Sequence, residues 1–176
     1  MRPFISMLII VLMPFMFFSI YGGKNVDLPK DKTVLLSKSN YCNSRFDFCV
    51  IYPATVLPNQ EASVNDDGVI LKTAEGKAEV NVFGSYNITN WSPQELFEFS
   101  INSLVENKKE KVEIYSSTFG EDYYECYFEI GNNNYINRSY FVKDYYISLM
   151  IKVPKNEPIL YQKLLDEVTV VMGDNS

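Results

Sequence analysis

Apolar and polar residues alternate with period two through "RFDFCVIYP", residues 45–53, putting Phe46, Phe48, Val50 and Tyr52 on one face. That predicts a half-buried strand, stopped by Pro53. The same period returns at Val69–Thr73 and at Ala78–Tyr86, joined across Glu75-Gly76, and predicts a hairpin. The intervening "LPNQEASVNDDG" has no apolar period and reads as loop. The period then changes. In "WSPQELFEFSINSLVEN", Phe97, Ile101, Leu104 and Val105 recur at helical spacing. Ser92 is the N-cap, Pro93 occupies the first turn, and Glu95 completes a capping box. Trp91 is expected to staple against Glu95-Leu96, and the KKEK run at 108–111 ends the helix in solvent. Four β-type segments follow, "KVEIYSSTF", "DYYECYFEI", "NYINRSYFV" and "YYISLMIKVP". Their short connections (Gly120-Glu121, "GNNN", Lys143-Asp144) predict a meander of antiparallel hairpins. "NEPILYQKLLDEVTVVM" predicts a closing helix with Leu160, Leu164, Val168 and Val171 on one side. The order is β-β-β-α-β-β-β-β-α. It gives an α+β fold, one antiparallel sheet of about seven strands packed with two amphipathic helices.

The chain opens MRPFISMLIIVLMPFMFFSIYGG, one positive residue before an uncharged apolar stretch from Phe4 to Tyr21. This is the pattern of a signal peptide, although the stretch approaches the length of a membrane span. Residues 1–23 are therefore read as a signal peptide or membrane anchor, and both readings place the rest outside the cytoplasm, in a periplasmic or other extracytoplasmic location. Residues 24–40 read as a polar tether with a short strand at Val34–Leu36, and residues 41–173 as one domain.

Charge narrows the partners. The chain carries 16 basic and 22 acidic residues and no histidine, and the leader contributes only Arg2. An acidic domain without clustered Lys and Arg is a poor match for phosphate backbones, so nucleic acid is not an expected partner. Membrane contact is expected only through an uncleaved N-terminal segment. Three cysteines in an exported chain predict a Cys42–Cys49 disulfide across a short loop, with Cys126 a buried thiol. A Cys49–Cys126 bridge between strands is the rival pairing. Three spread cysteines without histidine lack the ligand spacing of a zinc site, a cysteine nucleophile would lack its usual histidine partner, and no cofactor is expected.

Asn65-Asp66-Asp67-Gly68 resembles half a calcium loop but lacks the distal ligand, and reads as a turn whose glycine permits positive φ. Glu121, Asp122, Glu125 and Glu129 are the carboxylates available for acid–base work, yet Glu125 and Glu129 alternate with Tyr123 and Tyr127 as an ordinary polar strand face does. Tyrosine beside asparagine and serine is the composition of recognition surfaces, because tyrosine gives a large contact area at low entropy cost. The candidate binding residues are Tyr123, Tyr127, Glu125, Glu129, Asn132, Asn133, Asn134 and Tyr146. A covering helix would instead make Tyr127 and Tyr146 core residues with polar tips.

"YCNSRFDFCVIYP", "NDDGVILKTAEGKAEVNVFGSY", a helix, "INRSYFVKDYYISLMIKVP" and a closing helix, over residues 41–172, together resemble the PsbP-like fold. The likeness is to small exported bacterial members, DcrB-like envelope proteins or secretion-system immunity proteins. The resemblance implies a binding or assembly module rather than an enzyme. The expected function is an exported protein-binding module, in one form an immunity protein that blocks a secreted toxin. A DcrB-like envelope maintenance factor is the alternative, and a carboxylate-dependent hydrolase is the third. Mass spectrometry of periplasmic extract should find a mature N-terminus near Gly23. Full-length protein in the membrane fraction would establish the anchor instead, and cytoplasmic protein would refute both.

Overall fold

Phe48, Val50 and Tyr52 do line one buried face of a strand, with Phe46 buried just ahead of them, but that strand belongs to a sheet of its own. The computed structural model describes residues 37–108 and 110–173, so the leader, residues 24–36 and the strand expected at Val34–Leu36 lie outside the described residues. In chain order the elements are β1 (Lys38–Asn43), β2 (Phe48–Pro53), β3 (Asn59–Ala62), β4 (Gly68–Lys72) and β5 (Glu79–Tyr86). Then come α1 (Pro93–Lys108), β6 (Val112–Phe119), β7 (Tyr123–Ile130), β8 (Asn133–Val142), β9 (Tyr145–Pro154), α2 (Pro158–Glu167) and β10 (Thr169–Met172). No helix among the described residues is long and apolar enough to cross a membrane.

The fold is α+β with two helices and ten strands, and all strand pairs are antiparallel. Seven strands form one sheet in the order β3-β4-β5-β9-β8-β7-β6, and three form another in the order β1-β2-β10. Three elements depart from the sequence expectation. Lys38–Asn40 begin β1 rather than ending a tether, because they pair with Ile51–Pro53 of β2. Asn59–Ala62, expected as loop, form the outer strand β3; backbone pairing to β4 and the Lys72–Glu61 ion pair hold a strand with no buried side chain. The closing helix stops at Glu167, and Thr169–Met172 pair with β2 instead. The β-branched run Val168-Thr169-Val170-Val171 favours extended backbone, which leaves Val171 exposed rather than on a helical stripe.

Packing follows from period two. Val80 and Val82 of β5, Ile147, Leu149, Ile151 and Val153 of β9, and Ile136 of β8 face β2 and α2. Each such buried side chain contributes about 1.5–3 kcal/mol relative to exposure. Phe128, Ile130, Cys126 and Tyr135 face the other way, beneath Phe97, Ile101 and Leu104 of α1. The capping box forms as expected: the Ser92 amide donates to Glu95 Oε2 at 2.8 Å and the Glu95 amide to Ser92 Oγ at 3.3 Å. The helix is rotated so that Leu96 is buried, which carries Val105 past the edge of the contact face and exposes it. Trp91 packs on Phe99, ring centroids 4.6 Å apart. Under α1 a chain of buried polar groups runs from Ser139 to Ser148, Asn137 and Tyr124.

Cys42 and Cys49 face each other across the β1–β2 hairpin and are disulfide-bonded, and Cys126 is a free buried thiol whose pKa burial pushes up to about 11. The loop between the two cysteines is clamped by Asn43. Its Oδ1 accepts the Arg45 and Phe46 amides at 3.0 Å, and its Nδ2 donates to the Asp66 carbonyl at 3.1 Å and to the Tyr41 hydroxyl at 3.2 Å. Tyr41 in turn donates to the Gly68 carbonyl at 3.1 Å. Positive φ in the Asn65–Gly68 turn falls on Asp66, not on the glycine. Gly68 is needed for a different reason: a Cβ there would lie 2.1 Å from the Val82 carbonyl oxygen. Gly84 likewise leaves room for Phe46, whose ring would meet a Cβ at 2.2 Å.

Replacing Asn43 by alanine removes two acceptances and two donations of a buried side chain, and is expected to destabilise the fold by about 3 kcal/mol. Asn43→Asp keeps the acceptor and should fall in between. Urea denaturation measures both; an Asn43→Ala change within about 0.5 kcal/mol of the native protein would show that the clamp is not structural.

Candidate binding site: a tyrosine-lined groove

Strand β7 sorts its residues by parity. Tyr124, Cys126, Phe128 and Ile130 are buried on the α1 side, so Tyr123, Glu125, Tyr127 and Glu129 project from the opposite face. The β7–β8 register then decides what each of them meets. Glu125 lies across from Arg138, Tyr127 from Ile136, Glu129 from Asn134 and Tyr123 from Tyr140.

Arg138 forms an ion pair with Glu125 through Nε, and its NH2 group lies 3.5 Å from the Tyr127 hydroxyl. Both partners of the ion pair are about three-quarters shielded, which makes the pair less screened than a surface one. Burial works against the Arg138 charge, but hydrogen bonds to Tyr127 and Glu125 outweigh it and the pKa is raised. Burial likewise raises the Tyr127 pKa.

Glu129 is held from two sides. Lys155, just beyond β9, forms an ion pair with it, and the Tyr115 hydroxyl donates to it. These contacts hold the Glu129 carboxyl below the usual range, and the bond to Glu129 pushes Tyr115 up to about 12. Tyr115 reaches Glu129 because the β6–β7 register shifts between Ile114 and Ser116, making it the extra residue of a bulge. From the other side comes α2, whose Tyr161 donates its hydroxyl to the Tyr135 carbonyl at 3.3 Å. Burial pushes Tyr161 up to about 12 as well.

Between these elements lies a groove of about 410 Å³ lined by Tyr115, Ser116, Tyr127, Phe128, Asn134 and Tyr161. The Tyr115–Glu129 bond links it to a second, charged depression of about 310 Å³ that includes Glu110, Glu113 and Lys155. The chemistry on offer is three phenol rings, an amide, and carboxylates of which Glu113, Glu125 and Glu129 are matched to cations.

The groove takes in only part of the set singled out from the sequence. Tyr127 and Asn134 line it, and Glu125 and Glu129 are the ion-paired groups beside it. Tyr123 is exposed on the same face but opposite Tyr140, outside the lining. Asn132 sits in the turn, where its carbonyl accepts the Lys155 amide at 2.9 Å. Asn133 and Asn134 belong to β8 rather than to a loop, and Asn133, opposite Ile130, is on the α1 side. Tyr146 is also on that side, its ring 5.8 Å from Phe141, so it cannot act with Tyr127. Sequence reasoning missed Arg138, Tyr115, Tyr161 and Lys155. Only Arg138 carried a readable signal, since a two-residue turn at Gly131-Asn132 places it across from Glu125.

No protein-family model matches the chain, and no curated protein sequence does. Among solved structures, the solution structure of a cyanobacterial PsbP (CyanoP) from Synechocystis sp. PCC 6803 is similar, with a TM-score of 0.58 and 10% sequence identity. The match covers 80% of this chain and 96% of that one. The fold is therefore PsbP-like, and at this identity the likeness speaks to the fold alone.

Because Glu129 is depressed by Lys155 and Tyr115, its contribution to holding the β6–β7 edge is present above the ordinary glutamate range and is lost as pH falls through the lowered value. A carboxylate NMR titration of Glu129 should report a midpoint below that of a free glutamate, moving upward in Lys155→Met. A midpoint at or above the free value in the native protein would contradict the pairing.

Proposed function

We propose that the protein is an exported, non-enzymatic module that binds another protein stoichiometrically through the tyrosine-lined groove. The observation that carries this reading is the groove itself: Tyr115, Tyr127 and Tyr161 converge from β6, β7 and α2, with Asn134 between them. Tyrosine rings bring much contact area with few torsions to freeze, which is how recognition surfaces gain affinity. The carboxylates favour the same reading. A general acid needs a raised pKa, whereas that of Glu129 is lowered by its cation and hydroxyl partners, and Glu125 is engaged by Arg138. Export is supported by the apolar leader and by the Cys42–Cys49 disulfide, a bond typical of oxidising compartments.

Two forms of this reading differ in their partner. An immunity protein would block a toxin delivered to the same compartment; a DcrB-like envelope factor would bind a resident membrane or envelope protein. Affinity capture from periplasmic extract with the purified protein, followed by titration of what is recovered, distinguishes them. A one-to-one complex is expected, weakened by about 2 kcal/mol in Tyr115→Ala, which removes an exposed ring. Glu113→Gln, at the rim, should change the association rate and little else. Turnover of a substrate, abolished by Glu125→Gln or Glu129→Gln in a folded protein, would overturn the proposal in favour of a hydrolase.

A further inference from the structure

The large sheet keeps two apolar clusters apart. The larger joins β2, β4, β5, β9 and α2, and among the described residues no part of α1 enters it. The smaller lies on the opposite face, where Cys126, Phe128, Ile130 and Tyr135 sit under Phe97, Ile101 and Leu104 of α1. Among the described residues Leu96 is the one buried side chain of that helix. The strand ladders of both sheets are complete without it. Polar contacts add little to its hold. The buried row of Ser139, Ser148, Asn137 and Tyr124 is bonded strand to strand, at 3.0, 3.2 and 3.1 Å. Among the described residues a single side-chain hydrogen bond crosses to α1, from the Tyr124 hydroxyl to Ser100 Oγ at 3.5 Å. Water replaces that bond if the helix leaves, and the row keeps its own partners, so no donor or acceptor is orphaned. Only the entry is fixed. The Asn87 amide donates to the Asp144 carbonyl at 2.7 Å, and the Asn87 side chain brackets the Trp91 backbone with two bonds of 2.9 Å.

We infer that α1 is a tethered cover that lifts from the sheet as one unit, uncovering Cys126 and the Tyr124–Asn137–Ser148 row while both sheets and α2 stay assembled. Lifting forfeits the smaller cluster alone, and an element with few, one-sided apolar contacts opens below the free energy of global unfolding. The other helix is not free in this way. Leu164 and Val168 of its end belong to the larger cluster, and the chain runs on into β10, which is paired to β2. The lifted helix leaves an apolar floor beside hydroxyl and amide groups. Tyr127 and Tyr161 pack with the larger cluster on the other face, so the inference stands apart from the protein-binding reading.

Cys126 is the reporter. It is the free thiol beside the Cys42–Cys49 disulfide, it is 0% exposed, and burial pushes its pKa up to about 11. Alkylation near neutral pH therefore waits for the cover to lift. The purified, disulfide-intact protein is treated with iodoacetamide at urea concentrations below its unfolding transition, and amide exchange is followed in parallel. Labelling should run about a hundredfold faster than global unfolding permits and should change little with urea. A lifted helix of 16 residues is marginal alone, so the Phe97–Leu104 amides should exchange with the same protection as the thiol. Amides of β8 and β9 should report the global transition instead. Ile147→Val weakens the larger cluster in the closed and lifted forms alike, so it should speed β9 exchange about fivefold and leave Cys126 labelling unchanged. Ile101→Val should speed both by about the same factor. Labelling that follows the urea slope of β9 exchange, or that Ile147→Val accelerates as much as β9 exchange, would overturn the inference. Fast labelling with α1 amides as protected as those of β9 would overturn it too, because the reagent would then reach the thiol past a seated helix.

Discussion

The side-chain amide of Asn43 is the contact on which the two-sheet arrangement depends. A three-stranded sheet lying on a seven-stranded one has no covalent reason to stop in one place, and apolar packing alone is tolerant of sliding. Asn43 removes that freedom by bonding its own loop and, through the Asp66 carbonyl, the turn that leads into the large sheet. Phe46 then drops against Gly84, and Tyr41 reaches Gly68. The Gly173 amide closes the same loop from the C-terminal side by donating to the Asp47 carbonyl at 2.8 Å. Three distant parts of the chain thus meet at five consecutive residues.

With the small sheet fixed, the large one is divided. One face carries β2 and α2 over its β5–β9 region, and α1 shields the other face over β7 and β8. Where β2 and α2 run out, the odd-numbered side chains of β7 are left only partly covered, and the tyrosine groove occupies that border. Tyr161 belongs to the covering layer and Tyr127 to the layer beneath, so the groove exists because the two layers are of unequal extent.

Much of this was legible in the chain. Period two located β5 and β7–β9, and Ser92 with Glu95 located the start of α1, because each signal is local and physically sufficient. What escaped was held by non-local contacts. Asn59–Ala62 bury no side chain and are strand only because β4 lies beside them. Leu164, Val168 and Val171 fit a helical stripe as well as the start of a strand, and only the open side of β2 decides between them. The site divides in the same way. Tyr127 and Glu125 were placed by alternation, but Tyr161 and Lys155 come from elements whose approach no local pattern encodes. Tyr146 was grouped with them by composition, and its parity on β9 puts it on the far side of the sheet.

The position of β10 has a consequence for how the chain folds. Its Val170 pairs with Val50, so β2 acquires its second neighbour only from the last strand. Hairpins such as β8–β9 close locally and early, whereas this closure must wait for a loop spanning most of the domain, and its entropy is lost before any contact is gained. The docking of β10 onto the locally formed β1–β2 hairpin is therefore the late step of the small sheet. A chain that lost Thr169–Met172 would keep its large sheet and helices while exposing one side of β2 as a raw edge, converting an interior strand into a nucleus for aggregation.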